Sequence, residues 1–235
     1  AGLIESIADQ LRVRVSGQPL VALGGGRVID AAKAIAAAEG LPGPVAIPTS
    51  LSGAEMTGFH RHAAGVPGNT PRSRASVVIN NPALSASQAP GQLAASSANA
   101  LGHAVTALVS TRSTPIARAV AREAISNLTG GWSSTEPDRT AIALGALLAG
   151  WAVDHSGLGP HHALSQTAVR VAGLEHAQVN AALLPQTLKA MAARASEPLP
   201  IELAANLRRR ASALDLGARG SNAALPPHDV ETAAA

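Results

Sequence analysis

The sequence has 235 residues, carries a formal charge of +3 and contains no cysteine, which rules out disulfides and thiolate zinc sites. With no tyrosine, one phenylalanine (Phe59) and two tryptophans (Trp132 and Trp151), it lacks the aromatic platforms that single-stranded nucleic acid stacks on. Its length suits one large domain or two modest ones sharing a cleft, built on a Leu, Val, Ile and Ala core.

In chain order, PLVALGGG (residues 19–26) reads as a buried strand ending in a tight turn, and RVIDAAKAIAAAEG (27–40) as a helix closed by Gly40. PVAIPTS (44–50) reads as a second strand broken at Pro48, and ASVVIN (75–80) as a third. Strand–helix–strand alternation implies parallel pairing in an α/β layer. Beyond the boundary at residues 88–91 the strand signals stop. Helices are predicted over 91–110, 114–128, 138–154, 160–171 and 176–195. The pattern is an α/β unit over 1–89 followed by an all-α unit over 90–235. LRRRA (207–211) reads as the solvated face or end of a helix in preference to a phosphate-binding patch. The Ala/Gly/Pro-rich tail from residue 212 is expected to be poorly ordered in part. The longest apolar run, AIALGALLAGWAV (141–153), is too short for a membrane span and suits a buried helix. No secretory leader opens the sequence, so a soluble cytoplasmic protein without membrane partners is expected.

Two loops at strand carboxyl ends carry glycine and hydroxyl groups: GGGRVIDAAK and PTSLSGAEMT. In an open α/β sheet that edge is where ligands bind. Glycines before a helix N-terminus let backbone amides approach a diphosphate, although plain tight turns use the same residues and no G-x-G-x-x-G fingerprint is present. Histidines gather in NALGHAV (99–105), GLGPHHALSQ (157–166) and EHAQVNAALLP (175–185), a density that points to metal or proton chemistry. Asn99 and His103 are four apart and share a helix face, and His162 and Gln166 repeat that spacing. His60 and Arg61 follow the second loop and are candidates to pair with a substrate carboxylate, an exposed polar turn being the alternative.

GGGRVIDAAKAIA, PTSLSGAEMT, NALGHAVTAL, GLGPHHALSQ and HAQVNAALLP occur in this order over residues 19–185. Together they resemble the iron-containing alcohol dehydrogenase superfamily, with its dehydroquinate synthase-like fold. EMT, the asparagine of NALGHAV and the doubled HH are most similar to maleylacetate reductases. The resemblance implies an N-terminal dinucleotide-binding domain, a helical C-terminal domain, a cleft between them and a homodimer. It implies NAD or NADP as cofactor, with Gly24, Gly25 and Gly26 cradling the pyrophosphate, Asp30 close by, and Thr49, Ser50 and Ser52 on the nicotinamide side. The family's strand–helix–strand segment ahead of the triple glycine, which selects NAD or NADP, has no counterpart here; nor does its further C-terminal helix.

Metal-using relatives carry Asp-x-x-x-His and two further histidines; the matching positions are Asn99, His103, His162 and His176. Asn99 removes a hard anionic ligand, which iron needs more than zinc does. The resemblance therefore implies reduction of the C=C bond of an unsaturated keto-dicarboxylate without metal, a protonated histidine supplying the positive charge. Asn99, His103, His162 and His176 are the catalytic candidates, and His60, Arg61, His161 and Gln166 the substrate-binding ones. Gln166 stands where the family has another histidine. A metal, if held, would use His103, His162 and His176. The alternatives are a metal-dependent alcohol dehydrogenase or aldehyde reductase of the same superfamily, or a non-catalytic binding subunit.

Overall fold

A computed structural model describes residues 4–172 and 176–213; most of the tail from residue 212 lies outside them. The sequence-predicted alternation gives a three-stranded parallel sheet in the order β1 (Val21–Gly24), β2 (Val45–Pro48), β3 (Val77–Val78). Val21 pairs with Val45 and Gly24 with Pro48, while Val45 pairs with Val77. Third-strand pairing covers two residues rather than the six expected. Helix α2 (Gly26–Glu39) packs Ile29 against Ala22 and Ala46 and ends on Gly40, whose left-handed φ of 64° suits a residue without Cβ. The first strand is not buried as expected. Val21 and Leu23 are 66% and 58% exposed, because among the described residues α2 covers only the face that carries Ala22. An amphipathic helix, α1 (Ile4–Arg12), precedes the sheet and lays Ala8 against Ala34 and Ile35.

From Pro90 onward the described chain is helical: α3 (Pro90–Val109), α4 (Pro115–Gly131), α5 (Arg139–Asp154), α6 (Pro160–Ala172), α7 (His176–Ala192) and α8 (Ile201–Ala213). Their starts follow capping chemistry. Thr114 accepts from the Ala117 amide with Pro115 next, and Asp138 accepts from Thr140 and Ala141. Helix α3 is rich in Ala, Ser and Gly and is buried along nearly its whole length, so its neighbours pack against it closely. Leu93, Leu101, Leu128, Ile142, Leu184, Leu188 and Leu207, all fully buried, form the main core. Truncating one such leucine to alanine costs about 2–5 kcal/mol. LRRRA falls in α8: Leu207 is core, Arg208 and Arg209 face solvent, and Arg210 lies 5.1 Å over the Trp132 ring. Among the described residues no helix is long and apolar enough to cross a membrane.

Candidate active site

The two strand-end loops meet. The Thr49 amide donates to the Gly24 carbonyl (3.0 Å). A Cβ on Gly25 would lie 3.2 Å from Ser50 Oγ, and one on Gly26 would lie 2.8 Å from Ser52 Oγ. These glycines are therefore required by the serines beside them, whatever else they bind. Helix α2 starts there with no acid in its first turn and with Arg27 exposed. The Val28 amide is taken by the Gly25 carbonyl (2.9 Å), so the Gly26 and Arg27 amides, the helix dipole and a cation together fit a diphosphate. Asp30 does not stand free beside that turn: its Oδ1 lies 2.9 Å from Lys33 Nζ. Burial raises its pKa, and Lys33 opposes the rise.

The loop after Ser50 links this turn to the helices. The Leu51 amide donates to Ser96 Oγ on α3 (2.9 Å). Gly53, at φ +74°, approaches Gly150 of α5 so closely that a Cβ would sit 3.2 Å from its Cα and 3.3 Å from His103 Nδ1. Asn99 Nδ2 donates to the Ser52 carbonyl (3.4 Å), and Asn99 Oδ1 lies 3.4 Å from His162 Nε2. A carboxylate at 99 could accept from the imidazole but could not donate to Ser52; the amide does both.

The rings of His103 and His162 stack, with centroids 4.4 Å apart and planes at 15°, and His161 meets His162 edge to face at 5.1 Å. Asn99, His103 and His162 are 8%, 6% and 3% exposed. His161 is fully buried behind this pair. Thr187 Oγ1 sits near the Leu183 and Leu184 carbonyls, which take its proton, so it accepts from His161 Nδ1 at 2.9 Å. Gly102 makes room for His161: a Cβ there would lie 2.7 Å from its Cδ2. His103 Nδ1, His161 Nε2 and His162 Nδ1 are buried without a hydrogen-bond partner among the described residues.

Burial dominates the electrostatics. It pushes His103 down to about 3, with help from His161 and His176, and His161 down to about 4. His162 lies well below the ordinary value for the same reason, followed by the influence of His103. These imidazoles are neutral at pH 7. The expectation of a resting protonated histidine is therefore corrected: each ring offers one N–H donor and one lone pair.

Expectations for five further residues change. His60 is buried and spent on backbone, donating from Nδ1 to the Arg61 carbonyl and accepting the Ser73 amide at Nε2, both 2.9 Å. Arg61 turns outward to Glu5 on α1, 2.7 Å away. Neither residue belongs to the histidine cluster. Gln166 is exposed, because the buried face of α6 carries His161, His162 and Ser165. His161, enclosed and bonded to Thr187, is a support behind His162 and not an open substrate contact. His176 begins α7 and is exposed; its pKa is lowered by desolvation first and then by the Arg27 charge. His155 stacks on Trp151 at 3.9 Å.

The donors do not fit a metal ion as arranged. Stacked rings hold their lone pairs in separate near-parallel planes, where one ion cannot be bound by both. Asn99 is committed to its two partners, and no group of three His, Asp or Glu able to hold an ion occurs among the described residues. The set His103, His162 and His176 is not assembled.

Sequence reasoning missed two buried charges. Lys33, 0% exposed, bonds three carbonyls of the 54–59 loop, and Glu55, 5% exposed, lies within that loop. A signal existed for Lys33, which falls one turn after Ile29 on the apolar face of α2.

Comparison with known proteins agrees with this architecture. Residues 93–225 match the family described as Fe-containing alcohol dehydrogenase family, C-terminal. Maleylacetate reductase 2 of Cupriavidus pinatubonensis is 35% identical over 71% of this chain and 48% of its own length. Maleylacetate reductase 1 of Rhodococcus opacus is 35% identical over 76% of this chain and 51% of its own. The crystal structure of an iron-containing alcohol dehydrogenase from Corynebacterium glutamicum superposes with a TM-score of 0.74 at 28% identity, covering 94% of this chain and 69% of that one. The chain thus spans about half the length of the curated relatives it matches. It belongs to the iron-containing alcohol dehydrogenase family.

Proposed function

We propose that the protein is an NAD(P)H-dependent reductase of the maleylacetate reductase kind. It saturates the carbon–carbon double bond of an unsaturated keto-dicarboxylate, leaves the ketone in place and works without metal. The observation that carries this reading is the chain His162–Asn99–Ser52. It joins a buried imidazole pair to the loop beside the glycine turn, through an amide where a metal-holding site needs a carboxylate. The names of the relatives at 35% identity support the substrate class.

When bound, the nicotinamide supplies hydride to the alkene carbon β to the ketone. The Gly26 and Arg27 amides and the Arg27 side chain would hold the diphosphate, and Thr49, Ser50 and Ser52 would serve the nicotinamide side. As the double bond takes up hydride, negative charge develops on the ketone oxygen as an enolate, and preorganised donors there lower the barrier. His103 makes no hydrogen bond among the described residues, so its neutral ring is the one free to donate an N–H to that oxygen. His162 has its Nε2–H engaged by Asn99 and presents the Nδ1 lone pair. The carbon α to the ketone then takes a proton that comes ultimately from water, which completes the saturation.

The test is oxidation of NADH and NADPH by the full-length protein across unsaturated keto-dicarboxylates and simple aldehydes, with and without chelator. Turnover of the keto-dicarboxylate that survives chelation is expected. Chelator-sensitive turnover of aldehydes alone would replace this reading with the alcohol dehydrogenase one.

A further inference from the structure

The Lys33 ammonium lies in a cage of four oxygens: Asp30 Oδ1 at 2.9 Å, Ala54 O at 2.8 Å, Thr57 O at 3.0 Å and Phe59 O at 3.0 Å. All four are acceptors. A neutral amine would turn a lone pair toward one of them, so the set is complementary only to the charged form. Three carbonyls and a carboxylate around one positive centre are what a bound monovalent cation receives, and here the cation is built into α2.

The cage is made by the segment that joins the two halves of the candidate site. Ahead of it, Ser50 and Ser52 pack on Gly25 and Gly26, the Ser52 carbonyl holds Asn99, and Gly53 rests against Gly150 and His103. Within it, the Gly58 amide donates to Asp154 at the end of α5 (2.9 Å). Lys33 stands on the helix that starts at the glycine turn, so one side chain ties the turn and the loop to a common origin.

We propose that Lys33 is a positioning residue, a built-in monovalent cation that sets the 54–59 loop and thereby the distance between the glycine turn and the His103–His162 pair. It touches neither reacting group. Its effect on turnover rests on the reductase reading above; its effect on the loop does not, so the two fail separately.

The test measures amide hydrogen exchange and steady-state kinetics of Lys33→Met and Lys33→Ala in the full-length protein. In Lys33→Met, exchange at residues 53–59 accelerates by about tenfold or more while α3 and α5 keep their protection. A misplacement of an ångström or less costs about tenfold to a hundredfold in kcat, and KM for the nicotinamide cofactor rises with it. In Lys33→Ala, which leaves the four oxygens around an empty position, ammonium chloride restores loop protection and sodium chloride at the same ionic strength restores less. Unchanged exchange at 53–59 overturns the proposal. So does loss of protection throughout the chain that ammonium fails to reverse in Lys33→Ala, which would make Lys33 a general stability residue. Protection lost in the loop with kcat and KM unchanged overturns the positioning role while leaving the cage intact.

Discussion

Glu55→Gln isolates the cost of a buried carboxyl in the loop that links the two halves of the site. Glu55 is 5% exposed, its Oε2 has no hydrogen-bond partner among the described residues, and burial pushes its pKa from 4.5 up to about 7 against the pull of Lys33. A carboxyl with a raised folded-state pKa favours folding most while it is protonated. Its contribution is full below pH 4.5 and is lost as the pH rises through about 7. At about 1.4 kcal/mol per pH unit, that window amounts to about 3 kcal/mol. Glutamine keeps the shape and does not titrate. Urea unfolding of parent and variant at pH 5, 6, 7 and 8 should show Glu55→Gln gaining on the parent across the series, by up to about 3 kcal/mol. Titrating groups that do not interact with Glu55 cancel in the difference, which leaves Glu55 and its coupling to Lys33 and Asp30. Two stability curves that run parallel in pH would refute the burial argument for this residue.

Acid should act in the opposite sense through the histidines. His103 at about 3 and His161 at about 4 have depressed folded-state values, so their contribution is full above 6.5 and lost as the pH falls toward those values; His103→Gln should flatten that limb of a denaturation series. Gly102→Ala puts a methyl 2.7 Å from His161 Cδ2 and 3.0 Å from its Nε2, and should cost about 1–3 kcal/mol of stability by calorimetry along with most of the activity. His162→Ala should lower the single-turnover rate by about a hundredfold with cofactor affinity little changed. A larger chemical-step loss in His161→Ala would show that the supporting ring had been mistaken for the working one. Asn99→Asp removes the donor to Ser52 and should raise affinity for a divalent ion while lowering turnover, as calorimetry and kinetics together would show.

What the sequence disclosed follows the range of the interactions involved. Apolar runs closed by Gly and Pro locate β1, α2 and β2, and 3.6-residue periodicity locates α3 to α7, because those signals are local. Helix α1 carries the same signal in Ile4, Ile7, Ala8 and Leu11, and α8 in Leu203, Ala204 and Leu207, over stretches too short and too polar for the pattern to stand out. The Asn99–His103 pair was legible because a four-residue spacing fixes a common face. The same rule misplaced Gln166, since spacing does not say which face of α6 is buried; the packing of His161 against Gly102 decides that. His60 and Arg61 found partners 13 and 56 positions away in Ser73 and Glu5, a distance at which no local pattern speaks. Charge state was the least legible feature. Neutral histidines follow from burial, and a charged Lys33 follows from four nearby oxygens that oppose its burial; only the tertiary structure supplies either.

The central claim is that hydride goes to the alkene carbon β to the ketone and the ketone survives. Deuterated NADH or NADPH, labelled at the transferring position, is incubated with the full-length protein and an unsaturated keto-dicarboxylate, and the product is read by NMR. The account predicts deuterium on the carbon β to an intact ketone and a solvent-derived proton on the carbon between them. Deuterium on a newly formed carbinol carbon, with the double bond retained, would contradict it.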